Sequence, residues 1–572
     1  MNGAEFVLRS LVEDGVDRLF LVPGGLVDPF LPAIARTPGL SSVVAAHEGG
    51  AAFMADGYAR ASGKFGAALC IGGPGATNAV TAMSAAYTDH SSVLLLTGAV
   101  ANAMQGVGYF QDATAGAFDD GRVLAPVTAE SYSVPDVRLL PASLRIAVRR
   151  MFEGAGAPVH LSIPTDVQTG EVTAKPRPLA ADILHSEPLD AEAASRIWAR
   201  LRQAGLGPRV ALLVGGGAIS DDAAAALARV AKRFHIPVAT TEHAKGQFPE
   251  DDALSLGVFG YAGARHATDA LLDDGLDLLI VLGATMNVRD SMYWTTRLQP
   301  KLGVVSVNIS PVYVGRYFQN ESFIGGHAGG FLKWLAGAAG EIAEPLTEGI
   351  AARKEWVTRV KAKPRYYDFE NMTSDQSPIH PARMVADARK IMPRETIALV
   401  DSGAHRAFAA HYWDSYGPRQ FLTAATLGPM GWAIGAGVGA KAARPDAPVL
   451  VFTGDGCMRM HGLEVQSASR AGLPVIYLVS NNQALGNVWL RARKEGEIPT
   501  RLTEAPDQDW AGFARALGAD GATVRTAAEL QPALERALAS NRTVVIDVKT
   551  ERAAPTPIEP YADAQAHWSF HM

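Results

Sequence analysis

Cysteine is scarce: Cys70 and Cys457 are the only two in 572 residues, and no Cys-x-x-Cys spacing occurs. That excludes a disulfide framework and a zinc ribbon. Long apolar runs are missing too. Nothing approaches the roughly 18–20 apolar residues a bilayer span needs, and residues 1–9 carry Glu5 early instead of the basic-then-apolar order of a secretion signal. These absences set the expectation of a cytoplasmic protein without a membrane partner. Basic charge is in deficit, 52 Lys and Arg against 58 Asp and Glu, and no basic cluster offsets it, so no nucleic-acid partner is expected. Glycine is abundant, at 57 residues, but gathers in short loops such as Gly72-Gly73-Pro74-Gly75 and Gly215-Gly216-Gly217. That is turn chemistry, not low complexity. The chain is too long for one hydrophobic core, and two to four domains are expected.

Short apolar runs bounded by Gly, Pro or Asp mark buried strands at residues 19–22, 67–71, 93–97, 159–163, 210–214, 278–282, 304–307, 397–400, 449–453, 475–479 and 544–548. Ala-rich stretches of helical period lie between them, at 49–61, 223–234 and 463–471 among others. Strands alternating with helices imply an α/β chain whose parallel sheets are covered on both faces. Proline-rich residues 165–190 read as a linker, and the polar stretch 340–378 as another, with a solvated helix at 354–363. Three doubly wound parallel-sheet domains are therefore expected, at 1–165, 190–340 and 378–550. A tail follows at 551–572, whose His567-Trp568-Ser569-Phe570 suits either a disordered end or a segment that docks.

The densest signal is in the third unit. A buried strand runs into Gly454-Asp455-Gly456, then come Glu464 and Leu473-Pro474, and a second strand runs into Asn481-Asn482. One βαβ crossover separates Asp455 from Asn482, so both side chains emerge at the carboxyl ends of neighbouring parallel strands. A carboxylate with an amide oxygen suits a hard cation such as Mg²⁺ that shares its shell with phosphate oxygens. Gly454 and Gly456 let backbone N–H groups approach a diphosphate.

This arrangement resembles the thiamine-diphosphate signature. The stretch from His47-Glu48-Gly49-Gly50 to Arg60, followed by Gly72-Gly73-Pro74-Gly75-Ala76-Thr77-Asn78, resembles the glutamate segment of acetolactate synthase and its relatives. On these motifs the chain is similar to the acetolactate synthase, benzaldehyde lyase and pyruvate oxidase superfamily, and most like the large subunit of acetolactate synthase. The likeness covers nearly the whole chain and is thin in the middle unit. It implies a pyrimidine-binding domain at 1–165, a central nucleotide-binding-like domain at 190–340, a diphosphate- and metal-binding domain at 378–550, and a tail that could close as a lid.

The resemblance also implies site residues. Asp455, Asn482 and the backbone oxygen of Ala484 would be the Mg²⁺ ligands. Gly403, Ala404, His405, Gly454, Gly456, Cys457, Leu485 and Gly486 would line the diphosphate. The Gly428 carbonyl and the Met430 side chain would grip the pyrimidine. Glu48, as a buried acid, would hydrogen-bond the pyrimidine N1′ and so activate the cofactor. Since the family's glutamate reaches the cofactor of another chain, a homodimer or homotetramer with active sites between subunits is implied. Phe110 and Gln111 match residues that face the active site, and His90 is a further candidate for orienting small carbonyl substrates. Each residue also has a plain structural reading: Glu48 beside a helix N-terminus, His405 a helix cap, Met430 and Phe110 core, Arg491 a solvated helix residue.

Two departures bear on the substrate. Arg491 stands where relatives carry the Trp that selects a 2-oxo acid, and Ala129 stands where acetolactate synthase has Lys. Arg491 could instead pair with a carboxylate or phosphate. In the middle unit Gly215-Gly216-Gly217 and Gly283-Ala284-Thr285 resemble positions that hold FAD or an ADP-containing nucleotide in relatives, although the flavin-binding Arg-Phe-Asp-Asp-Arg is replaced by Met286-Asn287-Val288-Arg289-Asp290. The leading expectation is a decarboxylating carboligase on a 2-oxo acid. The alternatives are a lyase or decarboxylase of the benzaldehyde lyase or 2-hydroxyacyl-CoA lyase type, and a non-catalytic regulatory relative.

Overall fold

A computed structural model of the chain describes residues 1–180, 183, 187–316, 318, 320–496 and 499–566. The aromatic run His567-Trp568-Ser569-Phe570 falls outside the described residues. Three six-stranded sheets follow one another along the chain, and every strand pairing is parallel.

The first sheet holds β1 (Arg18–Leu21), β2 (Ser41–Val44), β3 (Gly66–Ile71), β4 (Val93–Ala99), β5 (Glu130–Ser133) and β6 (Val159–Pro164), in the order β2-β1-β3-β4-β6-β5. The second holds β7 (Val210–Val214), β8 (Val238–Thr240), β9 (Ser255–Val258), β10 (Leu278–Leu282), β11 (Val304–Asn308) and β12 (Glu321–Gly325). Its order, β9-β8-β7-β10-β11-β12 from one edge, is the 3-2-1-4-5-6 order of a dinucleotide-binding sheet. The third repeats the topology of the first, with β13 (Ile397–Val400), β14 (Phe421–Thr423), β15 (Val449–Gly454), β16 (Ile476–Asn481), β17 (Asp520–Val524) and β18 (Val544–Lys549) in the order β14-β13-β15-β16-β18-β17. Interior strands such as β4, β7, β15 and β16 are buried at every residue, as sheets covered on both faces require.

One apolar core runs from the first sheet into the third. Its seam is the crossing of the helices Glu48–Ser62 and Trp432–Ala443, which meet on glycine. A Cβ on Gly57 would stand 2.0 Å from the Ala436 carbonyl oxygen, and one on Gly439 would stand 1.8 Å from that of Met54. Only hydrogen on both sides lets the backbones come this close. The Trp432 indole donates to Asp56 (2.7 Å), which also binds Arg60, so the polar groups inside the seam are paired.

Both polar stretches differ from the sequence expectation. Leu179 and Ala180 are buried, and their amides donate to the Asp14 carboxylate at 2.8 and 3.1 Å, so residues up to 180 pack on the first unit. The helix expected to be solvated is Ile350–Lys361, and it buries Arg353, Trp356, Val357 and Val360. Arg353 donates to the carbonyls of Phe234 (2.9 Å), at the end of the helix Asp221–Phe234, and of Pro208 (2.8 Å), in the loop before β7. The tail helix Glu559–Ala566 seats Tyr561 between Tyr261 and Tyr293, with ring centroids 5.3 and 4.9 Å apart. Among the described residues, no helix is long and apolar enough to cross a membrane.

Candidate functional site

In the third sheet, β13 and β15 are neighbours whose next strands leave on opposite sides. Such a switch point opens a crevice at the carboxyl ends of the strands. Asp401 follows β13 and Asp455 follows β15. Asp401 is committed to the frame: it accepts from the amides of Ser402 (3.0 Å) and Gly431 (2.8 Å) and from the Thr453 hydroxyl (2.9 Å). Asp455 is different. Its Oδ2 is buried and has no hydrogen-bond partner among the described residues, and burial pushes its carboxyl up to about 6. A buried carboxylate oxygen left alone is costly, so the position calls for a counter-charge.

Gly454 pairs in register with Ser480, which brings Asn481 and Asn482 out of the next strand at the level of Asp455. Asn481 turns inward and donates to Asp547 at 2.9 Å. Asn482 is half-buried, and its Oδ1 accepts from the Ala484 amide at 3.1 Å. Ala484 bridges antiparallel to Glu504, with Leu485 donating to Thr503 and Ala505 donating to Gln483, both at 2.8 Å. In that pattern Ala484 and Glu504 are the non-hydrogen-bonded pair, so the amide and carbonyl of Ala484 point away from residues 503–505.

Around these residues the glycines clear space. A Cβ on Gly456 would meet Met430 Cε at 2.9 Å and Leu485 Cδ2 at 3.1 Å, and one on Gly486 would meet Asn482 Nδ2 at 2.8 Å. Gly428, with φ 69°, adopts the left-handed region two residues before Met430, which is half-buried. Gly403 and Gly454 flank His405 so closely that their Cβ atoms would stand 2.4 and 2.9 Å from its Cε1. His405 is thus a buried ring, not a solvent-facing cap. Its Nε2 has no partner among the described residues, and burial holds it down at about 4, so the ring is neutral near pH 7. Ala404 opens the helix Ala404–Tyr412 beside it. Cys457 donates to the Ser402 carbonyl at 3.2 Å, and burial pushes its thiol well up, which removes it as a nucleophile.

The residues fit a hard cation beside an anion. They supply a partnerless carboxylate oxygen, an amide oxygen and a glycine-cleared floor. Among the described residues no three His, Cys, Asp or Glu side chains gather into an all-protein metal cage. A cation at Asp455 would therefore complete its shell with ligand oxygens.

Glu48 opens its helix one residue after the N-cap His47, whose Nδ1 accepts from Gly49 at 3.0 Å. It is half-buried in the single chain, not fully buried as expected, because none of the described residues covers its outer side. Its Oε2 accepts from Asn78 Nδ2 at 2.9 Å. The loop before it is held by Glu464, which accepts from the amides of Ala46 and His47, both at 3.1 Å, and from Ser467 Oγ at 2.6 Å. Burial raises the Glu464 carboxyl. The His47 ring lies 5.9 Å from that of His461, at the far end of the helix Asp455–His461. Among the described residues no hydrogen bond, ion pair or ring contact joins Glu48 to Asp455, Asn482 or Met430 of the same chain.

Phe110 is 79% exposed, not core, and it sits among exposed Val107, Tyr109 and Phe118. Gln111, half-buried with φ 59°, follows it. This loop folds back on the Gly72-Gly73 turn, where Asp120 accepts from Gly73 at 2.9 Å. Arg491 is exposed on the helix Gly486–Glu495, while Trp489 of that helix is turned inward onto Glu504.

A separate cavity of about 840 Å³ opens at the switch point between β7 and β10, lined by Gly216, Gly217, Gly283, Ala284 and Asn308. His90 stands on its wall, within 3.0 Å of Tyr313 Oη, and so belongs to this cavity and not to the group around Asp455. Part of that wall is a buried ionic chain that sequence reading missed, with Arg60, Asp89 and His243 lining the cavity. Arg60 binds Asp56 and Asp89, and Asp89 meets His243 at 3.3 Å. The adjacent Glu242 takes a two-pronged contact from Arg406 at 2.7 and 2.8 Å. The pairs that join Arg60 to Asp89, Asp89 to His243 and Glu242 to Arg406 are far apart in sequence and the residues ordinary in type, so only their pairing marks them. Arg552, which donates to the Asn482 carbonyl at 2.9 Å, was missed for the same reason.

Comparison with known proteins agrees with this layout. Residues 1–118 match the N-terminal TPP binding domain of thiamine pyrophosphate enzymes, residues 195–335 their central domain, and residues 401–548 their C-terminal TPP binding domain. The chain is 31% identical over 582 residues to a probable acetolactate synthase large subunit of Methanocaldococcus jannaschii, covering 98% of this chain and 94% of that relative. It is 32% identical to the acetolactate synthase large subunit of Corynebacterium glutamicum, over 96% of this chain and 86% of the relative. With the acetolactate synthase isozyme 1 large subunit of Escherichia coli it shares 32% identity, over 85% and 83% of the two chains.

Proposed function

The chain belongs to the thiamine pyrophosphate enzymes and is acetolactate-synthase-like, and on that premise we propose that it is a Mg²⁺-dependent carboligase that decarboxylates a 2-oxo acid and joins the remainder to a second carbonyl compound. The observation that carries this reading is the buried, partnerless Oδ2 of Asp455 beside Asn482 and the glycine-cleared floor. Asp455, Asn482 and the Ala484 carbonyl would hold Mg²⁺. His405, Gly403, Ala404, Gly454, Gly456, Leu485 and Gly486 would hold the diphosphate, and Met430 and the Gly428 carbonyl the pyrimidine. Thiamine diphosphate supplies the carbon nucleophile and the electron sink for cleaving a bond next to a carbonyl.

The protein's own part is placement and proton control. Glu48 Oε2 is taken as an acceptor by Asn78, which leaves Oε1 to hold the proton for the pyrimidine N1′. Glu464 fixes the height of that carboxyl by gripping the two amides before it. Among the described residues no hydrogen bond or ion pair joins Glu48 to Asp455 within one chain, which supports a head-to-tail homodimer in which each Glu48 serves the partner's cofactor. Exposed apolar residues on both halves, Phe110 and Val107 beside one and Leu427 and Met460 beside the other, support a second copy as their cover. Phe110 and Gln111 would then orient the substrate, and Arg491 would read its carboxylate. The cavity at β7 and β10 supports an adenine-nucleotide-sized ligand in the central unit, FAD included.

Two measurements test the proposal. Calorimetry should show thiamine diphosphate binding that depends on Mg²⁺, and pyruvate alone should release CO₂ and yield a coupled 2-hydroxy-3-oxo acid. No cofactor binding sinks the site. Turnover of acyl-CoA with aldehyde but not of pyruvate replaces the carboligase reading with the lyase one.

A further inference from the structure

We propose that Arg552 is a positioning residue for the loop that carries Asn482 and Ala484, an inference that rests on reading those two as metal ligands. β16 ends at Asn481, whose carbonyl takes the last rung of the ladder from the Thr550 amide at 3.1 Å. The Asn482 carbonyl lies one residue past that ladder. Arg552, three residues after the end of the neighbouring β18, fills the gap with Nε at 2.9 Å. Its Nη1 pairs with Glu504 at 2.8 Å, and the other Glu504 oxygen accepts from Trp489 Nε1 at 3.0 Å. One planar guanidinium thereby ties together the Asn482 loop, residues 503–505 and the helix Gly486–Glu495, which a point-charge lysine cannot do in one plane.

The loop needs holding. Gln483 sits at φ 57°, in the left-handed region that a side chain other than glycine enters at a cost. The carbonyls of Asn482 and Gln483, the latter accepting from Ala505, are both fixed from outside. Those bonds set the planes on either side of Gln483; the Leu485 amide, donating to Thr503, sets the plane that carries the Ala484 carbonyl, and the Ala484 amide in turn holds Asn482 Oδ1 at 3.1 Å. Groups that orient metal ligands from behind set affinity as much as geometry does.

The test is a calorimetric titration of MgCl₂ into full-length protein with thiamine diphosphate held saturating. Arg552→Ala should raise the half-saturating Mg²⁺ concentration about 10- to 100-fold, while the melting temperature of the metal-free protein stays near that of the wild type. Arg552→Lys, which still donates to the Asn482 carbonyl, should recover part of the loss. Glu504→Gln keeps the volume but weakens the fork's anchor, and should move the titration the same way; it carries the test if Arg552→Ala fails to fold. A half-saturation within twofold of wild type in both Arg552→Ala and Glu504→Gln overturns the proposal. Wild-type Mg²⁺ binding in Asn482→Ala overturns the ligand reading instead, so the two failures are distinct.

Discussion

Replacing Glu464 with glutamine probes the grip on the Glu48 loop with little change in volume. The carboxylate is 1% exposed; Oε1 accepts from His47 N, and Oε2 accepts from Ala46 N and Ser467 Oγ. Glutamine offers one acceptor oxygen and a donating NH₂. Its best fit puts the oxygen where Oε2 stands, keeping two bonds and turning the NH₂ against the His47 amide. A hydrogen bond to a charged acceptor is worth about 1.5–3 kcal/mol. Ala46 and His47 are exposed on their outer side, so water can partly replace the lost partner, which places the cost at the low end, about 1.5 kcal/mol. Urea melts read that loss, and hydrogen exchange locates it, with faster exchange at His47 than at Ala46. Because Glu48 is the next residue, turnover should fall about tenfold through misplacement alone. Stability within about 0.5 kcal/mol of wild type, together with unchanged exchange at His47, would refute the idea that the carboxylate holds this loop.

Glu48→Gln should lower turnover by about 10²–10⁴ while calorimetry still shows cofactor binding; unaffected turnover removes Glu48 as the acid. Gly57→Ala drives a Cβ to 2.0 Å from a backbone oxygen that cannot yield, and should cost about 1–3 kcal/mol or more in urea melts. Gly25→Ala, with nothing within 4 Å of the new Cβ, should be neutral; equal losses at both sites would contradict the seam. Burial pushes Asp290 up to about 6 from 3.8, so the folded chain holds this proton more tightly than the unfolded one. Its contribution is complete below about 4 and is lost as pH rises through 6, on the order of 3 kcal/mol in all. Asp290→Asn should flatten that part of the stability–pH curve, and an unchanged slope would refute the assignment.

The eleven apolar runs read from the sequence are all strands, and they fill the interior of the first and third sheets and all but β8 of the interior of the second. The strands not found, β2, β5, β9, β12, β14 and β17, are both edges of every sheet, with β8 beside an edge. β4 and β16 are apolar on both faces, whereas Ser41–Val44 and Glu130–Ser133 face solvent on one side and carry no run to read; β8, β9 and β14 are buried but only three or four residues long, too short for a run to stand out. Site legibility divides the same way. Asp455, Asn482 and Glu48 sit in local motifs, because a strand end, a glycine turn and a helix start are built from adjacent residues.

Local sequence thus determined the strand–helix alternation, the parallel sheets and the chemistry at the strand ends. It could not determine what those ends face. That Asp455 Oδ2 lacks a partner, that His90 belongs to the middle cavity, and that Arg552 reaches Asn482 depend on packing between residues tens to hundreds of positions apart. Side-chain type sets what a residue can bond, but the crossing of two glycine-faced helices and the order of strands in a sheet set which partner it meets. Those are properties of the folded chain alone.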